Sequence, residues 1–384
     1  MRSWLVGLAA LSSLVAGAGV AAQPAVPAPI PDTIPIALLI DANSGQVLHE
    51  RNADRRFMPA SITKTMTAFL AFELLDDGKI DPRQIYSVRP ETFKEWHRKG
   101  STMFLPSDAH PSVAELLTGI MTVSANDGAV VLAEGAAGSV AAWTAQMNAK
   151  AREIGMTNSH FNTPNGWPDE GKTFVTAHDL ARLASAMLRR HPARYRSFIG
   201  HQGYAYGGIA QSNHDPLIGK VPGADGIKTG FTNEAGYGYL GTVSQGGRRL
   251  ILVVAGAESG RARNAAAKDY VEWGFARFEQ RKLFGKGADV AKASVQNGDS
   301  REVTLRPLEP IYLTFPKGTD PNIRMQVSYD GPLRAPIQSG QRVAVLQLEV
   351  DGMPTSRIPL VADHNVQRAT VFDRVMNGFL GWFL

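Results

Sequence analysis

Within the first 280 residues, β-type runs stand at both ends and helical periodicity fills only the middle, an order that admits few folds. An apolar run at Ile36 to Ile40, a turn cluster at Asn43-Ser44-Gly45 and then Val47 and Leu48 predict a β-hairpin. From Ser61 to about Leu75 the residues Ile62, Met66, Phe69, Leu70 and Leu74 follow a helical period, and Gly78 is placed to stop that helix. Further helices are expected after Ser112, with Glu115 three residues on, from Ser139 to Gly155, and after Thr176, with Asp179 three residues on. Two of these starts read as capping boxes. The β pattern returns over Tyr237 to Ser244 and Arg249 to Ala255 around a Gly246-Gly247 turn, and a helix follows from about Ala262 to Phe278. The prediction is an α+β domain whose antiparallel sheet is assembled from both ends of the segment, with helices against it.

The rest of the chain has a different character. Residues 1–22 combine one Arg, an apolar stretch from about Trp4 to Ala16 and small residues ending at Ala22, the layout of a cleavable export signal. A Pro-rich linker over 23–35 leads into the first domain, expected over 36–282. Residues 288–361 alternate short β-like runs with turns such as Pro316-Lys317-Gly318 and Asp351-Gly352, and predict a small all-β domain. In residues 362–384, Val366, Ala369, Phe372, Val375, Met376, Phe379, Leu380 and Phe383 recur at helical spacing opposite Arg368, Asp373, Arg374 and Asn377. That predicts an amphipathic helix, too interrupted by charge to span a bilayer and suited to lie in a membrane interface.

Composition removes several function classes. The chain has 384 residues, 44% hydrophobic and 20% charged, which is globular material long enough for two cores. Lys+Arg exceed Asp+Glu by 40 to 35, but the basic residues are scattered rather than striped, so no nucleic-acid partner is expected. There is no cysteine, and the nine histidines show no ligand spacing, so neither a metal nor any other cofactor is expected. Export without disulfides points to a bacterial periplasm.

Three short motifs carry the chemistry. "SITK" puts Ser61 and Lys64 on one face of a helix start, "SAN" puts Ser124 and Asn126 at a joint between helices, and "KTG" puts Lys228, Thr229 and Gly230 on a strand entering the sheet. An S-x-x-K arises by chance roughly once or twice in such a chain and a K-T-G only about one time in ten, so their ordered combination carries information. A lysine acts as a base when neutral, and burial or a neighbouring cation lowers its pKa. Lys64 is thus a base for Ser61, and Lys228 a second positive charge that also attracts a substrate carboxylate. Ser124 suits a proton relay, and Asn126 an amide donor to the acyl side. The N–H groups of Ser61 and Phe231 suit an oxyanion hole, and Gly230 admits close approach of a substrate backbone. Asp127 reads as a cap for the following helix.

This pattern resembles the penicillin-recognising serine acyl transferases. Within them, "GSTMFLPS", "SANDGAVVLAE", "MTNSHFNTPNGW", "TAHDLARLA", "ADGIKTGFTNEAGYGYL" and "WGF" are similar to the low-molecular-mass D-alanyl-D-alanine carboxypeptidases over nearly the whole chain after residue 22. The resemblance implies a penicillin-binding/β-lactamase-like domain, a small β domain and a C-terminal anchor helix at the periplasmic face of the inner membrane. It also implies peptidoglycan stem peptides as substrates and β-lactams as covalent inhibitors. In that family an arginine ahead of "WGF" binds the peptide's terminal carboxylate; spacing offers Arg263, with Arg261 as a near alternative. Phe231 departs from members that carry histidine there. A DD-endopeptidase, a weak β-lactamase and a penicilloyl-binding protein without useful turnover are the alternatives. Against a β-lactamase stands the lack of an E-x-x-L-N motif between Asn126 and Lys228.

Overall fold

Eight helices and seven strands of the first unit follow one another so that the two sequence ends meet in one sheet. The structure is a computed structural model that describes residues 27–370 apart from 352 and 354, so the expected signal segment and the end of the expected anchor helix lie outside the described residues. Two compact units are present: Ala28–Ala42 with Val47–Ala276, and Asn43–Gln46 with the described residues from Arg277 on.

The first unit begins with β1 (Ile36–Asp41) and β2 (Val47–Arg51), and continues through a 3₁₀ turn at Ala60–Thr63 into α1 (Lys64–Asp76). There follow α2 (Pro90–Trp96), α3 (Val113–Thr122), α4 (Asn126–Ala137), α5 (Val140–Glu153), α6 (Ala177–Arg190) and α7 (Pro192–Phe198). A small hairpin, β3 (Gly203–Tyr206) and β4 (Ile209–Ser212), precedes β5 (Ala224–Thr232), β6 (Gly236–Gln245), β7 (Arg248–Ala257) and α8 (Gly260–Arg277). The five-stranded sheet runs β2-β1-β7-β6-β5, antiparallel throughout, with Leu38 opposite Val253 where the chain's two ends join. Leu38 and Val253 belong to the helical core, whereas a Cβ on Gly274 of α8 would lie 2.7 Å from Leu39 and Leu250. The sheet is covered on both faces, which is why β1 and β7 read as continuous apolar runs rather than alternating ones.

Helix α1 is the central post. Eleven of its thirteen residues are buried, including Thr65, Thr67 and Lys64, so its apolar surface wraps the whole perimeter instead of the single stripe expected from the sequence. Its first turn is 3₁₀, and Ser61 lies in that turn with no side-chain cap at its start. The Ser112 box forms reciprocally with Glu115. The Thr176 box is only half made: Thr176 accepts from the Asp179 N–H, but the Asp179 carboxylate accepts from Asn158 N and Ser159 Oγ. Gly78 follows the end of α1 at φ +67°, as expected.

The second unit comprises β8 (Phe278–Phe284), β9 (Ala291–Gln296), β10 (Glu302–Pro307), β11 (Ile311–Pro316), β12 (Ile323–Ser328), β13 (Leu333–Arg334), β14 (Arg342–Val350) and β15 (Ser356–Ala362). A six-stranded sheet β12-β14-β15-β10-β9-β13 and the pair β11-β8 enclose cores around Val303, Leu305, Leu346 and Leu360 and around Leu313 and Phe315. Two expectations are corrected here. The boundary at 282 falls inside β8, because the change from helix to strand at Arg277 carries no Gly or Pro to mark it. The start of the expected anchor helix is not helical: Val366 bridges Ile337 and is fully buried in the β core, and Arg368 bridges Gly298. Burying Val366 and Ala369 against the sheet outcompetes a helical turn there.

The far end of α1 is held by charge. His191 Nδ1 lies 2.6 Å from Asp76 Oδ2 and its Nε2 2.9 Å from Glu73 Oε1, while Lys150 and Arg190 donate to Glu73 and Arg194 to Asp76. Burial alone would raise both carboxyls; the bonds from Lys150, His191 and Arg190 hold Glu73 below the usual carboxylate range, and those from His191 and Arg194 do the same for Asp76. A depressed folded-state pKa contributes stability above the ordinary carboxylate pKa of about 4, lost as pH falls through the lowered value. Solvent screens Lys150 and Arg190, so Glu73→Gln is expected to cost about 1–3 kcal/mol at neutral pH. Urea titrations should also show a shallower stability loss for the variant than for the wild type on acidification below about pH 4.

Candidate active site

The start of α1, the α3–α4 joint, the loop around Asn165 and the edge strand β5 converge on one cleft of ≈ 560 Å³. Ser61, Ser124, Asn126, Thr229, Gly230, Phe231 and Arg263 line it. Lys64 and Lys228 sit in its wall, 0% and 3% exposed. All nine residues singled out from the sequence therefore gather here, whereas Arg261 is exposed and does not line the cleft.

Lys64 is the best-determined group. Its Nζ lies 2.8 Å from Ser61 Oγ, 2.7 Å from Asn126 Oδ1 and 2.7 Å from the Asn165 carbonyl oxygen; in the neutral amine the two amide-type oxygens accept its two hydrogens and the lone pair is left for the Ser61 hydroxyl. Burial first, and then the charge of Lys228, drive its pKa well below the ordinary lysine range, with Asp127 opposing. Lys228 is itself pushed down to about 7 by burial and then by Arg263, with Asp215 opposing. Its Nζ reaches the Thr229 carbonyl at 3.2 Å. A neutral amine in hydrogen-bond contact with a serine hydroxyl is a proton acceptor poised beside a nucleophile.

Backbone geometry holds these groups in place. Ala60, just before the serine, has φ +49°, and Ser124 has φ +63°, two non-glycine residues in a left-handed conformation that costs of order 1–3 kcal/mol each. Gly166 has φ +74°, and a Cβ there would lie 1.8 Å from the Ala60 carbonyl oxygen; this contact seats the Asn165 loop against the 3₁₀ turn. Gly230 lines the cleft and has a packing task as well. Its missing Cβ would fall 2.5 Å from the Pro59 carbonyl oxygen and 3.1 Å from Ile62, so glycine lets β5 pack on the serine-bearing turn.

Asn126 differs from the expectation: its Oδ1 faces Lys64, and its Nδ2 donates to the Lys99 carbonyl at 3.0 Å. Asp127 is no N-cap. The N-cap position is Ala125, and the Asp127 carboxylate accepts from the N–H groups of Met103, Leu105 and Gly128, pinning the loop that carries Gly100 and Ser101. Phe231, 47% exposed, stacks on Tyr237 with ring centroids 4.1 Å apart. Residues missed from the sequence are Asn165, which acts through its carbonyl, and His214 and Asp215, which precede β5. The Asn-Gly pair in "TPNGW" signalled a turn but not its acceptor role.

Among the described residues β5 is the last strand of its sheet, the position from which a strand can pair with an extended ligand lying along the cleft. Gly230→Ala should force β5 and the serine turn apart. An ångström-scale misplacement costs about 10²-fold; stopped-flow acylation by benzylpenicillin should slow by that order while circular dichroism stays native.

Comparison with known proteins agrees with this geometry. Residues 30–259 match the peptidase S11 family, D-alanyl-D-alanine carboxypeptidase, and residues 278–368 match the C-terminal domain of penicillin-binding protein 5. The chain is 33% identical over 345 residues to the D-alanyl-D-alanine carboxypeptidase DacA of Escherichia coli strain K12, covering 88% of this chain and 85% of the relative. It is 34% identical over 393 residues to DacC of the same organism, covering 99% and 98%. Among solved structures, penicillin binding protein 5 from Haemophilus influenzae superposes with a TM-score of 0.77 at 31% identity, covering 89% of this chain and 99% of that one. Penicillin-binding protein D2 from Listeria monocytogenes in its ampicillin-bound form gives 0.58 at 30% identity, covering 63% and 98%. The chain belongs to the peptidase S11 family of D-alanyl-D-alanine carboxypeptidases, serine hydrolases among the penicillin-binding proteins.

Proposed function

We propose that this carboxypeptidase removes the terminal D-alanine from peptidoglycan stem pentapeptides through an acyl-enzyme on Ser61, with Lys64 as its base. The observation that carries the assignment is the 2.8 Å contact between the buried Lys64 amine and Ser61 Oγ. Ser61 Oγ attacks the carbonyl carbon of the penultimate D-Ala while its proton passes to Lys64 Nζ. The N–H groups of Ser61 and Phe231 receive the developing oxyanion, a term typically worth a few kcal/mol. The proton moves on, with Ser124 as relay, to the leaving nitrogen; the C–N bond breaks and D-Ala departs. Water then attacks the ester, giving its proton to Lys64, and the C–Oγ bond breaks as Ser61 regains a proton. A β-lactam enters the same first step, and its opened ring keeps the leaving nitrogen tethered.

Incubating the protein with diacyl-Lys-D-Ala-D-Ala should release D-Ala, and benzylpenicillin should add one mass adduct on the Ser61 peptide. An adduct that persists in Ser61→Ala would move the nucleophile elsewhere. Lys64→Ala should lose acylation by 10²–10⁴-fold, whereas Lys228→Arg, which keeps the charge, should retain part of it.

A carboxypeptidase must distinguish a chain end, and Arg263 offers a two-pronged donor in the cleft wall. Its Nε donates to Asn264 Oδ1 at 2.9 Å, and Nη1 reaches the Gly238 carbonyl at 3.4 Å. Arg263→Ala should raise KM for the peptide more than it slows penicillin acylation; an effect confined to Arg261→Ala would reassign the reader.

The export signal at 1–22 and a C-terminal interfacial helix support a periplasmic enzyme held on the outer face of the inner membrane. Among the described residues no single helix is long and apolar enough to cross a membrane. Because Val366 belongs to the β core, the anchoring residues are those after Thr370. Liposomes should pellet the chain running from residue 23 to its end but not one ending at Thr370; equal pelleting would remove the anchor.

A further inference from the structure

Lys64, Lys228 and Arg263 are three buried basic side chains on one cleft, and none forms an ion pair among the described residues. Crowded positive charge out of water favours proton loss from whichever group can lose one, and arginine cannot. The liability falls on the lysines. Deprotonation suits Lys64, which must accept a proton, but would disable Lys228, whose assigned task is to attract a carboxylate.

The groups that share charge effects with Lys228 are Lys64 from α1, Arg263 from α8, and His214 and Asp215 from the loop before β5; His214 and Arg263 line the same cleft. Asp215 is the one anion among them. It is half-buried and held by three donor groups. Oδ1 accepts from Leu217 N at 2.8 Å and Ile218 N at 3.1 Å, and the Tyr239 hydroxyl lies 3.1 Å from Oδ1 and 3.0 Å from Oδ2. Tyr239 is fully buried, stands opposite Thr229 in the β5–β6 ladder, and also reaches the Gly226 carbonyl at 2.9 Å. The carboxylate is thereby tied to the strand that carries Lys228.

We propose that Asp215, held by Tyr239, is a positioning residue for the reaction: the built-in counter-charge that keeps Lys228 and Arg263 together as the reader of the substrate's terminal carboxylate. The proposal rests on the assignment of Lys228 and Arg263 as that reader. Asp215 acts in the direction it requires, since its charge opposes the loss of the Lys228 proton and favours the Arg263 cation. His214 is held below its ordinary range by burial and then by Lys228, Arg263 and Lys64.

The test is the pH dependence of kcat/KM for diacyl-Lys-D-Ala-D-Ala between about pH 6 and 9, which reports free-enzyme groups. Asp215→Asn keeps the shape and one acceptor oxygen but removes the charge, and its alkaline limb should move about 1 unit towards acid, giving a roughly tenfold loss on that limb and little change near pH 6. A parallel drop at every pH, or an unmoved limb, overturns the proposal. Tyr239→Phe should shift the limb the same way by less, and it decides the matter by the same criterion if Asp215→Asn does not fold. Lys228→Ala and Arg263→Ala separate the two levels. If neither raises KM, the reader assignment itself fails; if they do and the Asp215→Asn and wild-type profiles coincide, only the role of Asp215 fails.

Discussion

A lysine amine with no exposed surface, bonded at once to a serine hydroxyl, an amide oxygen and a main-chain carbonyl, is the interaction on which the rest of this structure depends. Taking an ammonium out of water is costly unless it is paired, and among the described residues no carboxylate pairs with Lys64. That cost lowers the pKa of Lys64 well below the ordinary lysine range, the direction that a base for Ser61 needs. Lys228 pushes in the same direction and Asp127 restrains it, so the basicity of Lys64 is set by two charges that the fold places around it.

Much of the first unit serves to hold that arrangement still. Helix α1 is buried around its whole perimeter, and its far end is tied through Glu73 and Asp76 to His191, Lys150, Arg190 and Arg194. At the near end two glycines remove the side chains that would separate the serine turn from its neighbours, Gly166 against Ala60 and Gly230 against Pro59. Asp127 fixes the third wall by gathering the N–H groups of Met103 and Leu105. A site built this way gives up local backbone comfort at Ala60 and Ser124 in return for side chains that do not need to reorganise during reaction.

The groups legible in the sequence are those whose side chains act from a periodic element. Ser61 and Lys64 share a helix face, and Lys228 sits on a strand whose pattern was plain. The β ends and helical middle announced the sheet. What escaped reading acts through backbone or through loops. Asn165 contributes a carbonyl, which any residue could supply. Asp215 reaches the lysine wall from a segment without periodicity, and the role of Gly230 is set by a turn 170 residues earlier in the chain. The tail differs for another reason: the spacing of Val366 and Ala369 suits a helix, but Val366 joins the β core and Ala369 is buried as well.

The central claim is that Lys64 is a neutral amine in the resting enzyme because of burial and the neighbouring Lys228 charge. NMR titration of lysine side chains labelled at Cε, with Lys64 assigned by comparison with Lys64→Arg, reads this directly. The account predicts a Lys64 transition well below the ordinary lysine range, moving up when Lys228→Met removes the second cation. A Lys64 signal that titrates near 10.5, or one indifferent to Lys228→Met, would contradict it.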